Sequence, residues 1–513
     1  MPSGERRYHA PQRASAIRVG AYGSVWSRVT TITPAALVHT RQRWIDAGLL
    51  GLAAILVRIP ALLAPTNLGY DDGGYGLAAI AMRQGFAPFR DIFSPQGPLF
   101  LPLVHVADLA GFQAIDAPRL IGLLAGAMVT IAVYFAAHEL MDRPRALLAG
   151  ALTAFSGVLL WTTAPLTGDG SAAAFATGSV AVALAYRRAP STTKAIAITL
   201  LAGCALSIKS LLVGPALLIA WLLVINGKRW KHAVMVPIGA VATVALFSLP
   251  WGIGNVFNDY IAYHLDKTAD RKPLANLDKL ITTFASRDTV MVALALIGFG
   301  CALWQWNRTG RLRIAASGTC LDRCLNGTRV LWWWAGIVFV ILVMQDPMFR
   351  NHLTALVAPL ALLTARYRPS WRVVVVTVVI ALPFQVMELR PLLVPGGYSQ
   401  DDARVVEAIS ALPANAWVLS DEPGLVWRAR RATDPFYVDA SILRIHSNVE
   451  AIKITEDRLV ESAGNPRVCA VVIGSKVRFG SFEGLPARLE EIGYSQSSAS
   501  PTLYTRKSCS PPR

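Results

Sequence analysis

The sequence predicts an α-helical polytopic membrane protein of about eleven transmembrane helices, followed by a small C-terminal α/β domain. Three observations predict it. Of 513 residues 54% are hydrophobic and only 16% charged, and the mean hydropathy is +0.44, too apolar for a chain that must clothe a soluble surface. Membrane-length apolar runs alternate with short Lys/Arg clusters, and beyond residue 395 that alternation gives way to shorter, mixed segments. The net charge of +17 reflects those clusters, not one basic face, so nucleic acid is not the expected partner. Six cysteines are too few for a disulfide framework.

Residues 1–45 are polar and basic, without an apolar run that ends in a small-residue cleavage site, and read as a cytoplasmic tail. A crossing helix needs about 20 apolar residues. Spans are expected near 46–65, 119–138, 146–165, 170–186, 195–208, 211–226, 232–250, 289–306, 330–345, 352–366 and 371–389. The run from Ala195 to Asn226 is too long for one comfortable crossing. Arg187, Arg188 and Lys194 precede it and Lys228, Arg229 and Lys231 follow it, so both its ends are cytoplasmic by the positive-inside rule and it crosses twice. Lys209 then lies at the outer turn, away from mid-bilayer. The clusters at Arg41/Arg43, Arg143/Arg145, Arg308/Arg311/Arg313 and Arg366/Arg368/Arg372 fit the same path, with the N-terminus inside and the C-terminus outside.

That path leaves three outer segments besides the C-terminal one: 66–118, the turn near Gly168–Gly170, and 251–288. Within the first, Leu99–Phe112 is apolar but short and interrupted by Pro102, His105 and Asp108, and reads as a helix on or dipping into the membrane surface. The domains expected are thus the tail 1–45, a transmembrane domain 46–394 with outer loop 66–118, and an extracytoplasmic domain 395–513. In the last, ARVVEAISAL and GLPARLEEIGY read as helices and AWVLSDE and RVCAVVIGS as buried strands.

The outer segments hold the residues that suggest chemistry. Asp71 and Asp72 sit a few residues past the first span, in GYDDGGYG. Either could cap a helix, but adjacent carboxylates repel each other unless a cation or a shared proton intervenes. Asp169, in LTGDGS, reads as a tight-turn residue or as a second acid on the same side. Lys209, in SIKS, either snorkels to the headgroups or binds an anionic phosphate. Tyr260, Tyr263 and His264, with Lys267, Arg271 and Lys272 beyond, form either an interfacial belt or a headgroup site, and Arg350, Asn351 and His352 mark another outer helix end. Cys320 and Cys324 lack further ligands for zinc. Sequons at Asn307 and Asn326 fall in a cytoplasmic loop, and Cys469 and Cys509 could pair with each other.

The order of these elements resembles the GT-C superfamily, polytopic glycosyltransferases that use polyprenyl-phosphate sugars. The nearest branch is that of the protein O-mannosyltransferases and the lipid A aminoarabinose transferases. Its Asp-Glu-x-x-Tyr loop corresponds to Asp71, Asp72 and Tyr75, its second-loop acid to Asp169, and the Lys of its Thr-Lys-Gly-like element to Lys209. A G-x-x-P-[FY]-R-D segment contains Arg90, and Gln96-Gly97-Pro98-Leu99 stands where the family has Lys-Pro-Pro-Leu. The resemblance covers about residues 45–390.

It implies transfer of a sugar of the mannose or pentose class from a polyprenyl phosphate to a hydroxyl of a protein, lipid or glycan acceptor, at the outer face of the cell membrane. Asp71 is then the base, and a single displacement inverts the anomeric centre. Asp72 and Asp169 would orient the acceptor or hold a divalent cation, Mg or Mn. Tyr75, Arg90, Gln96, Lys209, Tyr260, His264, Lys267, Arg350 and His352 would bind the donor phosphate or substrate. The rival reading is a lipid or sugar transporter or flippase, whose charges would decorate both faces.

Overall fold

The structure, a computed structural model, describes residues 34–63, 69–266, 272–309, 328–394, 396, 399–444, 453–507 and 509. Residues 1–45 and 46–513 form separate compact units. Cys320, Cys324, Asn326, Lys267 and Arg271 lie outside the described residues, and of Asn307 only the backbone is described.

The expected spans are helical. The chain runs through α1 (Pro34–Leu63), α2 (Tyr70–Arg83), α3 (Phe100–Ala110), α4 (Leu120–Leu140), α5 (Arg143–Ala154), α6 (Gly157–Thr163), α7 (Gly168–Arg188), α8 (Thr192–Leu206), α9 (Ser210–Asn226) and α10 (Trp230–Ser248). It continues through α11 (Pro273–Arg287), α12 (Thr289–Thr309), α13 (Arg329–Met344), α14 (Thr354–Arg366) and α15 (Trp371–Leu393). Among the described residues four helices are long and apolar enough to cross a membrane, or six if two bent pairs each count as one. On α15, Val375, Val379, Ile380, Phe384 and Met387 are exposed, a face that suits lipid. The chain is a multi-pass membrane protein.

One carboxylate links two bends in the helices. The stretch expected as a single span at 146–165 breaks between α5 and α6 by 51°, and α11 meets α12 at 103°. A helix end leaves backbone N–H groups without partners. Asp288, at the α11/α12 bend, accepts from Gly157 N at 2.9 Å, Val158 N at 3.2 Å and Ser156 Oγ at 3.0 Å. One carboxylate therefore satisfies the new start of α6 and holds the two bends together.

Helix α7 packs against α4, α8 and α9, and α8 against α10. The C-terminal segment adds α16 (Gln400–Ser410), β1 (Trp417–Ser420), α17 (Pro423–Arg428), α18 (Glu456–Gly464), β2 (Val468–Val472), α19 (Leu485–Glu491), β3 (Tyr494–Ser497) and β4 (Ser500–Arg506). The sheet order is β1-β2-β4-β3, with β1 and β2 parallel and the other pairs antiparallel. Strand pairs β1 and β2 coincide with the two apolar runs read from the sequence, whereas the β3–β4 hairpin carries too few apolar residues to be read. Cys469 and Cys509 form a disulfide, Cα to Cα 5.3 Å.

This segment docks on α2 through glycines. A Cβ on Gly73 would lie 2.2 Å from the Gly424 nitrogen, and one on Gly76 would lie 2.3 Å from the ring of Trp427. Trp427 is 1% exposed and has no room to retreat. Gly76→Ala would gain about 1 kcal/mol of helix propensity but overpack by about 1–3 kcal/mol. We expect a net loss of up to about 2 kcal/mol, seen as a lower Tm of the detergent-solubilised protein.

Candidate active site

Four segments that lie far apart in the chain close on one another, joined by backbone and side-chain contacts. The turn between α8 and α9, Ser207–Lys209, receives hydrogen bonds from Gly97 N to the Ile208 carbonyl and from Leu99 N to the Ser207 carbonyl, both 2.9 Å. Gly97 is needed there, since a Cβ would stand 2.4 Å from the Ser207 oxygen. The Gln96 side chain then lies against Gly168 at the start of α7, where a Cβ would meet Gln96 Oε1 at 2.9 Å. Tyr260, in a π-helical turn at Phe257–Ala262, donates to the Leu206 carbonyl at 2.7 Å. Loop 94–99, the α7 start, the Lys209 turn and the 251–288 segment thereby share one wall.

They enclose a cavity of about 350 Å³. Asp71, Tyr75, Gln96, Asp169, Lys209, Tyr260, His264 and His352 all line it, so eight of the residues singled out in the sequence meet in one place. Lys209 Nζ lies 2.9 Å from Asp169 Oδ2, with the acid almost fully buried. Asn351 Nδ2 donates to Asp71 Oδ2 at 3.2 Å. Burial pushes the Asp71 carboxyl up to about 6; Asp169 and Asp439 nearby push the same way, while Lys209 and the Asn351 bond oppose them. Burial also raises the Tyr75 and Tyr70 hydroxyls well above the usual phenol range. Four further acceptor oxygens of cavity-lining residues, Gln96 Oε1, Asp169 Oδ1, Gln345 Oε1 and Asp346 Oδ2, are buried without a donor among the described residues. An unmet buried acceptor costs about 1–3 kcal/mol. A ligand that brings several O–H groups would relieve them.

Other expectations need correction. Asp72, expected beside Asp71 as an acid or metal ligand, points away from the cavity into a buried pair with Arg119, whose Nε donates to both carboxylate oxygens at 3.1 Å and whose Nη2 also binds Oδ2. Leu166 N adds a bond of 2.9 Å. Neither aspartate caps its own helix: the residue at the cap of α2 is Gly69, without a side-chain bond. Asp72 pairs with Arg119 and Asp169 with Lys209. Among the described residues no group of three or more His, Cys, Asp or Glu is placed to hold a metal. Arg90 is exposed and pairs with its neighbour Asp91 at 2.9 Å, away from the cavity lining, and Arg350 is likewise exposed and outside that lining.

The cavity also holds residues that the sequence reading gave no role, namely Tyr70, Asp346 and Asp439. Asn351 was visible only as part of the polar run 350–352. Nothing in the pattern marked Asp439, which lies in FYVDASIL, a short and mostly apolar stretch that adjoins no span.

No family model and no curated protein matches the chain. Solved structures do. ArnT from Cupriavidus metallidurans bound to undecaprenyl phosphate is similar at 14% identity and a TM-score of 0.61, over 92% of this chain and 99% of that one. Its apo form is similar at 14% identity and a TM-score of 0.57, over 85% and 94%. The oligosaccharyltransferase AglB from Archaeoglobus fulgidus, in complex with an inhibitory peptide and a dolichol-phosphate, is similar at 12% identity and a TM-score of 0.50, over 91% and 74%. At 12–14% identity the likeness to these structures is one of fold.

Proposed function

We propose that this protein is a membrane glycosyltransferase that moves a sugar of the mannose or pentose class from a polyprenyl phosphate to an acceptor hydroxyl on the extracytoplasmic face. One observation carries the reading: the cavity sets a carboxylate raised to about 6 and an ammonium among buried acceptors that lack donors among the described residues. The structural neighbours bound to undecaprenyl phosphate and dolichol-phosphate support the carrier. The disulfide between Cys469 and Cys509 supports an outward C-terminal segment, because such bonds persist in oxidising compartments.

In this reading the acceptor oxygen attacks the anomeric carbon while Asp71 takes its proton. The bond from that carbon to the phosphate oxygen breaks, and its electron pair leaves with the phosphate. Phosphate is a stable anion, so it needs positive charge more than a proton, and Lys209 supplies it. Asp169 holds the Lys209 ammonium in place; Asn351 holds the Asp71 carboxylate. One displacement inverts the anomeric centre. A transporter would string its charges through the helices, whereas Asp71, Asp169 and Lys209 surround one cavity.

The test is transfer by the purified full-length protein from radiolabelled polyprenyl-phosphate mannose or polyprenyl-phosphate arabinose, with release of polyprenyl phosphate. Turnover of neither donor would reject the reading. Lys209→Met removes a charge-assisted contact to the phosphate, about 1.5–3 kcal/mol, and is expected to raise the donor KM by about ten- to a hundredfold.

A further inference from the structure

The mechanism leaves two carboxylates of the cavity unused, those of Asp346 and Asp439. Asp439 lies in the C-terminal segment, beyond β1 and α17, yet it lines the same cavity as Asp71 and Lys209. Its two oxygens are unequal. Oδ1 accepts from the Tyr70 hydroxyl at 3.0 Å and from Ser441 N at 2.8 Å. Oδ2 has no protein donor among the described residues and is not sealed off.

The orientation of this carboxylate is held from both sides. Tyr70 precedes Asp71 on α2, so the bond to Asp439 ties the C-terminal segment to the residue beside the base. The Tyr70 ring is in turn covered by the Arg478 guanidinium at 3.9 Å. Arg478 is anchored by Glu422 Oε1 at 2.9 Å, and the loop that bears it is pinned by Asp421, which accepts from Gly474 N, Ser475 N and Phe479 N at 2.7–3.0 Å. Such a fixed acceptor discriminates strongly, because a partner that lacks the matching O–H leaves it unmet.

A second cleft reaches Asp71 from the side of Trp161, Pro165 and Leu392, and Asp439 does not line it. Asp439 shares its cavity with Lys209, the phosphate-binding group of the proposed function, so the sugar it meets is the one about to be transferred. The charge there is lopsided. Among the described residues, Asp71, Asp169, Asp346 and Asp439 line the cavity with one ammonium, which Asp169 already engages.

We infer that Asp439 Oδ2 accepts a hydrogen bond from a ring hydroxyl of the donor sugar, and that it selects a hydroxylated sugar without a carboxylate over a uronate. Asp439 is thus a specificity residue contributed by the C-terminal segment. The inference rests on the glycosyltransferase reading.

The experiment uses the full-length protein with the faster of polyprenyl-phosphate mannose and polyprenyl-phosphate arabinose as parent, its monodeoxy analogues, and polyprenyl-phosphate glucuronate. The wild type is expected to prefer the parent by about ten- to a hundredfold over the analogue that lacks one particular hydroxyl, and to reject the glucuronate. Asp439→Asn and Asp439→Ala erase that preference at that position alone, and Asp439→Asn admits the glucuronate. Tyr70→Phe, which keeps every charge, weakens the same preference and no other, so the inference is testable even where an Asp439 variant folds poorly. Wild-type turnover with every preference intact in Asp439→Asn and Tyr70→Phe would overturn this inference and leave the transferase reading standing. No wild-type turnover from any donor would overturn both.

Discussion

Asp71→Asn is expected to lower kcat for sugar transfer by about 10²–10⁴-fold, the usual contribution of a positioned general base, with the donor KM and Tm nearly unchanged. The amide keeps the shape and can still meet Asn351, but it cannot take a proton. The wild-type pH profile should agree. A base acts deprotonated, and burial together with Asp169 and Asp439 raises this carboxyl to about 6. Activity is therefore expected to be flat above that pH and to fall about tenfold per unit below it. Asn351→Ala removes a bond that lowers the Asp71 pKa, so its acid limb should move to higher pH. Near-normal turnover in Asp71→Asn, or a limb that ignores Asn351, would remove Asp71 as the base.

How much of this was legible in the sequence depended on where charge is costly. Asp71, Asp169 and Lys209 stood out because each adjoins an apolar span, and flanking basic clusters put all three on one side. Their meeting needed no more than that, since the loops are short and Gly97 lets one strap cross the Lys209 turn. Asp439 gave no such signal, because its short stretch FYVDASIL adjoins no span and only the fold carries it to the cavity. Arg90 misled because a basic residue in a family-like motif was read without its neighbour, Asp91, which satisfies it. A usable clue went unread in the glycines after the acid pair. Gly73 and Gly76 lie three apart, on one face of α2, and mark where α17 approaches. The bent helices were hidden for another reason: at the break Ser156 takes the Leu159 N–H, but the Gly157 and Val158 N–H groups are met by Asp288, distant in sequence.

Arg119→Met is expected to destabilise the protein by about 3–5 kcal/mol, the cost of leaving one partner of a buried ion pair alone. Both side chains are 1% exposed, so no water replaces the lost bonds to Asp72. Arg119 also reaches the Ala61 and Leu62 carbonyls at 3.2 Å, and its guanidinium lies 5.4 Å from the Trp427 ring. The pair therefore joins the end of α1, the first turn of α2, the start of α4 and the docked C-terminal segment. Asp72→Asn should also destabilise, by less, because the amide still accepts from Leu166 N. The double variant Arg119→Met with Asp72→Asn should regain part of the loss, since no uncompensated charge remains. These shifts are read as Tm in detergent, and activity is read per folded molecule. If Asp72 serves the fold, folded Asp72→Asn keeps its kcat while Asp71→Asn loses it. A folded Asp72→Asn as inactive as Asp71→Asn would instead give the second carboxylate of the loop a part in the chemistry.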